Sequence, residues 1–341
     1  MPISQVPFAG ISNPVDFRNI VINGDMQIAQ RSTSVASLTT GGYRTLDRWY
    51  FDINSFGTWT MSQSTDTPTG EGFANSLKVD CTTADASPAA GDYLQLIQIF
   101  EGQNLQYLKK GTANALPLTA SFWVKSTKTG TFIAEFFDND NNRSISKSYT
   151  VSVSNTWEKK TITIPGDTSG AFGNDNGASF YLIIWLAAGT DFTSGTLNTS
   201  WGSRVNTNTA VGQVNIADST SNDFLITGVQ LEAGEQASGF EFMPFDIDLE
   251  RCLRYFQIPP TINVYAQVVS RYIGMEQPLA VYMRATPTIT NTFSLGGGAT
   301  QTDQAVYNRG NNGIGFYTQF SGLGGNTGGN ETVNLKLDAE L

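Results

Sequence analysis

The chain has 341 residues, a formal net charge of -10 and no histidine. Lacking histidine, it cannot run Ser-His-Asp or Cys-His catalysis, offer an imidazole metal ligand or use a histidine pH switch. Its acidic balance disfavours nucleic acid and anionic membranes, because binding a polyanion requires Lys and Arg to neutralise it.

Charged residues are only 15% of the chain, and 34 glycines help to take up the difference, which fits a β protein with many turns. Cys81 and Cys252 are too few for a disulfide framework or a zinc site. Each reads as a small buried apolar residue; a bridge between them is the other reading. No run approaches the ~18 apolar residues of a membrane span. The opening MPISQVPFAG lacks the basic and apolar regions of a signal peptide, so synthesis in a cytoplasm without that export route is expected.

Residues Met1 to Phe17 carry prolines and a glycine with little periodicity. They read as an extended arm, either a loose terminus or an anchor for a neighbouring subunit or particle. From Arg18 onward strands and turns dominate. Ile20 to Ile22 lead into the turn dipeptide Asn23-Gly24, and Met26 to Gln30 alternate beyond it. Asp47 to Ile53 and Trp59 to Met61 read as strands. Tyr93 to Phe100 alternates cleanly.

Asn104 to Lys110 predicts a helix of about two turns, ended by Gly111. Strands follow over Leu118–Lys125, Thr131–Phe137, Ser144–Val153 and Trp157–Ile164. Ala178 to Ala187 is almost continuously apolar and predicts a strand buried on both faces. Asp223 to Glu232 closes the series. Short strands at regular spacing imply a sandwich or jelly roll over residues 18–245.

Between Pro244 and Gln257, Ile247, Leu249, Cys252, Leu253 and Phe256 form an apolar stripe, with Asp246 and Asp248 in the first turn. A short linking helix is expected there. Thr261–Tyr272, Leu279–Arg284, Thr288–Phe293 and Val333–Leu337 then read as strands. Gly296–Gly298 and Gly322–Gly329 read as flexible loops. The fold class expected is therefore all-β: a jelly-roll sandwich, then a smaller C-terminal β domain over residues 246–341. No tandem repeat of fixed period is present.

Several blocks carry a resemblance. They are NIVINGDMQIAQR at Asn19–Arg31, DRW at Asp47–Trp49 and TGVQLEAGEQASGFEF at Thr227–Phe242. RCLRYFQ at Arg251–Gln257, MRATPT at Met283–Thr288 and DAEL at Asp338–Leu341 complete the set. In this order they resemble phage tail-fibre and virion receptor-binding proteins. SFWVKS, TWEKKTITIPGD and the strand ending LAAG are similar to the inner strands of carbohydrate-binding-module jelly rolls attached to such fibres. The resemblance implies a virion location and recognition of a bacterial surface glycan. It also implies homotrimeric assembly and attachment to other tail or head proteins through the N-terminal arm. A head fibre, decoration or tail accessory protein without a ligand is the alternative, and a glycan hydrolase a weaker third.

Sugar binding needs aromatic faces with amides and carboxylates nearby. Trp49, Trp123 and Trp185 lie in strand patterns and read as core. Trp201 sits in the polar stretch NTSWGSR and is a candidate exposed ring, or else a loop anchor tucked into the sandwich. Tyr307, Phe316 and Tyr317 are the other candidates, with core or subunit contact as the plain explanation. Asp138 and Asp140, in DNDNNR, are calcium ligands by type, but the EF-hand pattern fails because Arg143 replaces its glycine and Tyr149 its glutamate. A polar hairpin loop explains them equally well. No cofactor is required, and a structural calcium is left open.

Asp47 and Arg48 read as a buried pair that fixes strand register, with Arg31 a further partner. Glu135, Glu158, Asp47 and Glu232 offer no convincing catalytic pair. No phosphate-binding glycine motif is present. No enzymatic activity is expected.

Overall fold

The structure is a computed structural model and describes residues 17–266, 272–296, 300–322 and 329–341. The expected arm before Phe17, and most of both glycine-rich loops, lie outside the described residues.

Two antiparallel sheets form a sandwich. One has six strands in the order β1 (Ser34–Leu38), β4 (Thr58–Ser64), β5 (Ser76–Thr83), β13 (Asp223–Ala233), β7 (Leu118–Ser126) and β10 (Glu158–Ile164). The other has seven, in the order β12 (Gly202–Ser203), β9 (Arg143–Val151), β8 (Gly130–Asp138), β11 (Ala178–Ala188), β6 (Tyr93–Glu101), β3 (Tyr50–Asn54) and β2 (Gly42–Tyr43). The chain crosses between sheets at β1–β2, β3–β4, β5–β6, β6–β7, β7–β8, β9–β10, β10–β11 and β12–β13. Strands β5-β13-β7-β10 thus face β6-β11-β8-β9, the interlocked Greek keys of a jelly roll.

Period-two alternation builds the core. Phe122 and Val124 of β7, Phe132 and Phe136 of β8, and Phe224 and Ile226 of β13 turn inward and are fully buried. Strand β11 is buried on both faces, as its apolar run predicts. Phe180, Leu182 and Ile184 enter the main core, while Ile183 and Trp185 join Ile97, Ile99 and Ile133 on the opposite face.

A one-turn helix α1 (Thr190–Thr193) opens the segment that covers part of that second face, and α2 (Phe245–Leu253) follows the sandwich. Beyond α2, strand β20 (Gly329–Asp338) pairs along one edge with β17 (Thr288–Gly296). Its other edge is shared by β14 (Phe256–Gln257) and β15 (Ile262–Ala266). A three-stranded sheet, β16 (Tyr272–Pro278), β19 (Gly313–Gly322) and β18 (Thr300–Asn308), stands beside it. Val333, Leu335, Leu337, Ile314 and Phe316 fill a separate core between them.

Four local expectations are corrected. The Asn19–Gln30 block forms no strands, because its amides bond to distant side chains and to β13. Asn104–Lys110 is not an α-helix. Two 3-10 turns, Gly102–Asn104 and Gln106–Leu108, are followed by Lys109 in the left-handed region (φ 54), which turns Lys110 inward. Trp123 lies on the outer face of β7, because its neighbours Phe122 and Val124 take the inward positions. Leu279–Arg284 is a loop whose amides reach Asn312, Asn311 and Arg254 carbonyls. Asp246 and Asp248 lie in the first turn of α2, as expected, and Asp248 is buried, its carboxylate accepting the Asn23 N–H at 3.0 Å.

Candidate functional site

The blocks that carry the resemblance converge on one joint. Asn19 lies along β13: Ile20 N donates to Leu231 O at 2.9 Å and Leu231 N to Asn19 Oδ1 at 3.0 Å. Gly24 continues this edge, accepting Val229 N at 2.9 Å. A Cβ on Gly24 would stand 2.2 Å from Val229 O, so only glycine allows the approach. Asn23 donates through Nδ2 to the carbonyls of Ile28 and Asp47, and accepts the Trp49 indole N–H.

Arg48 and Asp47 do not pair with each other. Asp47 accepts the Gln30 amide at 2.9 Å, whereas Arg48 pairs with Glu340 and donates to Ile99 O at 2.6 Å. Asp47 cannot serve because its oxygens are taken by Gln30. Burial pushes the Asp47 carboxyl up to about 6, with the Gln30 bonds opposing. Arg31 reaches Asp338 at 3.0 Å and Glu340 at 3.2 Å. The Tyr255 and Phe256 rings lie under Arg48 and Arg31, 3.5 and 3.7 Å from the guanidinium carbons. Arg284 holds the carbonyls of Ala339 and Glu340. Glu101 accepts Arg254 at 2.7 Å and Tyr255 at 2.6 Å. Burial would raise the Glu101 carboxyl, but these bonds hold it below its usual value. The joint thus consumes its own polar groups in tying the C-terminal sheets to the sandwich.

The outer face of the seven-stranded sheet is different. Strand register places Phe137, Tyr181 and Ile99 side by side, and Glu135, Ile183, Ile97 and Tyr50 in the next row. Gln95 and Asp52 are paired beyond them, near Tyr93. Phe137 and Tyr181 touch at a ring-centroid distance of 5.4 Å, and Tyr43 and Tyr50 at 5.1 Å. Phe137, Tyr181, Tyr50 and Tyr93 are all half-buried; Arg204 lies over the Phe137 ring, 4.8 Å from its centroid, and Phe192 meets Tyr93 edge-on at 5.4 Å.

Burial lifts the Tyr50, Tyr93 and Tyr181 phenols, aided by Asp52 for the first two and Asp140 for the third. All three are therefore neutral hydroxyls at neutral pH. One end of the face is covered by the chain itself, with Phe192, Leu197 and Ala210 over Trp185 and Ile133. Leu341 packs at the other. A strip of aromatic and polar groups lies between.

The expected site residues are scattered. Trp201 is half-buried; its indole donates to Pro165 O at 2.7 Å and its ring packs against the sandwich core. It is a loop anchor at the sandwich end. Phe316 is 1% exposed inside the C-terminal core, which removes it from the candidate set because no ring face is open. Tyr307 is 36% exposed, with Tyr317 6.4 Å away and Arg309 over its ring. The Tyr307 ring lies on Gly315, where a Cβ would come within 2.3 Å of it. These tyrosines are remote in sequence from the sheet face described above. Among the described residues no cluster of three or more metal-ligating side chains exists. The Asp138 carboxylate holds Lys110, and Asp140 accepts the Gly173 N–H at 2.8 Å. That corrects Asp138 as a calcium ligand, since a cation already fills its oxygen.

The sequence reading passed over Tyr50, Tyr93, Phe137 and Tyr181 by treating strand aromatics as core. The available signal was their phase: each is out of step with the inward residues of its own strand.

The carboxylates do not form a catalytic pair. Glu135 is fully buried and binds the Trp185 indole and Arg204. Glu158 accepts the Ser152 and Val153 amides and Lys160, which hold it below its usual pKa against the opposing effect of burial. Glu232 binds Ser238 and Gln230. Both cysteines are buried and unbonded to each other. No helix among the described residues is long and apolar enough to cross a membrane.

No family model and no curated protein matches the sequence. Among solved structures, the chain is similar to the enzymatically active domain of bacteriophage CBA120 tailspike protein 4, with TM-score 0.34 and 15% identity. That match covers 64% of this chain but only 22% of the tailspike chain. A putative sugar-binding protein of Bacteroides thetaiotaomicron gives TM-score 0.35 at 9% identity, covering 63% of this chain and 100% of its own. The module TmCBM61, solved with β-1,4-galactotriose, gives 0.33 at 9% identity, covering 64% and 99%. Scores this low carry no functional argument; the jelly roll stands on the strand order of this chain.

Proposed function

We propose that this protein is a non-catalytic, host-recognition component of a phage virion, a tail fibre or tail-associated protein that binds bacterial surface glycan. It is organised as a sandwich over residues 18–245 and a C-terminal β unit over residues 246–341. The glycan lies along the outer face of the seven-stranded sheet. One observation carries this reading: Tyr50, Tyr93, Phe137 and Tyr181 stand half-exposed on one sheet face beside Asp52, Gln95 and Asp140. Apolar C–H faces of sugar rings stack on such aromatics, while phenols, amides and carboxylates take the hydroxyls. Sites of this kind are individually weak. Assembly as a homotrimer, attached to other virion proteins through the residues before Phe17, supplies avidity. Tyr307 with Tyr317 is a second, smaller aromatic surface for the same ligand class.

The second reading is a ligand-free head fibre, decoration or tail accessory protein. It is favoured by one fact: the chain itself covers both ends of the aromatic face. The test is binding of the purified, assembled protein to an array of bacterial surface glycans, with sedimentation to fix its oligomeric state. Reproducible binding to one glycan class, lost in Tyr181→Ala, bears out the first reading. Silence across the array from a correctly assembled trimer moves the reading to the second.

A further inference from the structure

Three loops meet at one end of the sandwich, and the Lys110 ammonium is buried among them. Its Nζ lies 2.5 Å from Asp138 Oδ2 and 3.1 Å from Asp167 Oδ2. It also lies 2.9 Å from Ser169 O and 2.6 Å from Gly170 O. An ammonium has three protons, so four oxygens at these distances exceed its donors. The arrangement is a cage around a point charge rather than a set of matched hydrogen bonds. Two carboxylates and two carbonyls are also the hard oxygen donors that calcium prefers.

The surroundings keep the cage formed. Arg143 grips Asp167 from outside, at 2.8 and 3.0 Å, and Asn141 donates to Asp138. Burial would raise the Asp167 carboxyl; the bonds from Arg143, Ser169 N–H and Lys110 hold it below its usual value instead. The Lys110 side chain is only 6% exposed. A void of about 20 Å³ beside it, lined by Phe172 and Trp201, has room for one water.

We propose that this is a divalent-cation cage whose occupant is the protein's own lysine ammonium. The intact protein takes up no calcium there, and removal of the Lys110 side chain opens the cage to calcium. This inference is independent of the glycan reading.

The test uses the full chain and terbium as the calcium probe. Trp201 lies 5.8 Å from the Lys110 Nζ, close enough to sensitise an ion at that point. In Lys110→Ala, tryptophan excitation is expected to give terbium emission that saturates and is displaced by calcium. Wild type and Lys110→Met, whose stem still fills the cage, stay dark. Adding Trp201→Phe to Lys110→Ala removes most of the emission. Saturating calcium raises the Tm of Lys110→Ala by about 5 °C or more and leaves wild type unmoved.

Emission from wild type equal to that of the alanine variant overturns the proposal. So does a folded Lys110→Ala that stays dark. If Lys110→Ala does not fold by itself, recovery on refolding with excess calcium supports the cage, and failure with calcium overturns it.

Discussion

Arg48 and Glu340 are 292 residues apart in the chain and form a buried ion pair. Burial by itself would lower the Arg48 guanidinium pKa; the Glu340 carboxylate together with the Tyr43 and Tyr255 phenols more than reverses that effect. The blocks at Asn19–Arg31, Asp47–Trp49, Arg251–Gln257 and Asp338–Leu341 meet around this pair. They are the parts of one joint.

Removing one partner leaves the other charged and buried. Glu340→Ala is expected to cost about 3–5 kcal/mol in chemical denaturation. Arg48→Met with Glu340→Leu is expected to recover most of that loss, because the residual charge is gone. Proteolysis of Glu340→Ala is expected near Ile258, which is exposed beside the joint.

Asp47 gives the joint a pH signature. Its folded value, about 6, lies above the ~3.9 of an unfolded aspartate. The folded state therefore binds the proton more tightly. Its stabilising contribution is full below about pH 4 and is lost as pH rises through about 6. Asp47→Asn is expected to flatten the stability-versus-pH curve across that window, read by urea denaturation at a series of pH values. A curve parallel to wild type contradicts the assignment.

Gly24 has no room for a side chain. Gly24→Ala drives a Cβ to 2.2 Å from Val229 O. A loss of about 1–3 kcal/mol is expected. An unchanged Tm contradicts the contact.

Phe316 and Tyr307 separate packing from surface. Phe316→Ala empties a fully buried site, with an expected cost of about 3–5 kcal/mol. Tyr307→Ala is expected to change stability by less than about 1 kcal/mol, because its ring is partly in water. Thermal denaturation of the two variants makes the comparison.

The legible parts of the fold were those written locally. Leu118–Lys125 and Thr131–Phe137 alternate with period two, and that period survives in the sheets; in β13 a bulge between Thr227 and Gln230 shifts the inward positions from Phe224 and Ile226 to Val229 and Leu231. Asn19–Gln30 misled because Ile20–Ile22 also looks like a strand, while the partners of Asn19 lie more than 200 residues away and that of Ile22 is the Gln98 side chain. Asp47 and Arg48 misled because adjacency suggested a pair that geometry denies. Ionic partners such as Glu340 carry no local mark. The aromatic face was half legible: Tyr181 lies in the apolar run of β11, where only its phase and hydroxyl distinguish it from Phe180.

The most direct measurement is calorimetric titration of the best array glycan into wild type, Tyr181→Ala, Phe137→Ala and the double variant Tyr307→Ala, Tyr317→Ala. The outer-face reading predicts at least a tenfold loss of affinity, about 1.4 kcal/mol, for Tyr181→Ala and for Phe137→Ala. It predicts a smaller loss for the double variant. Unchanged binding in the first two, with loss in the double variant, contradicts it and moves the site to the C-terminal sheets.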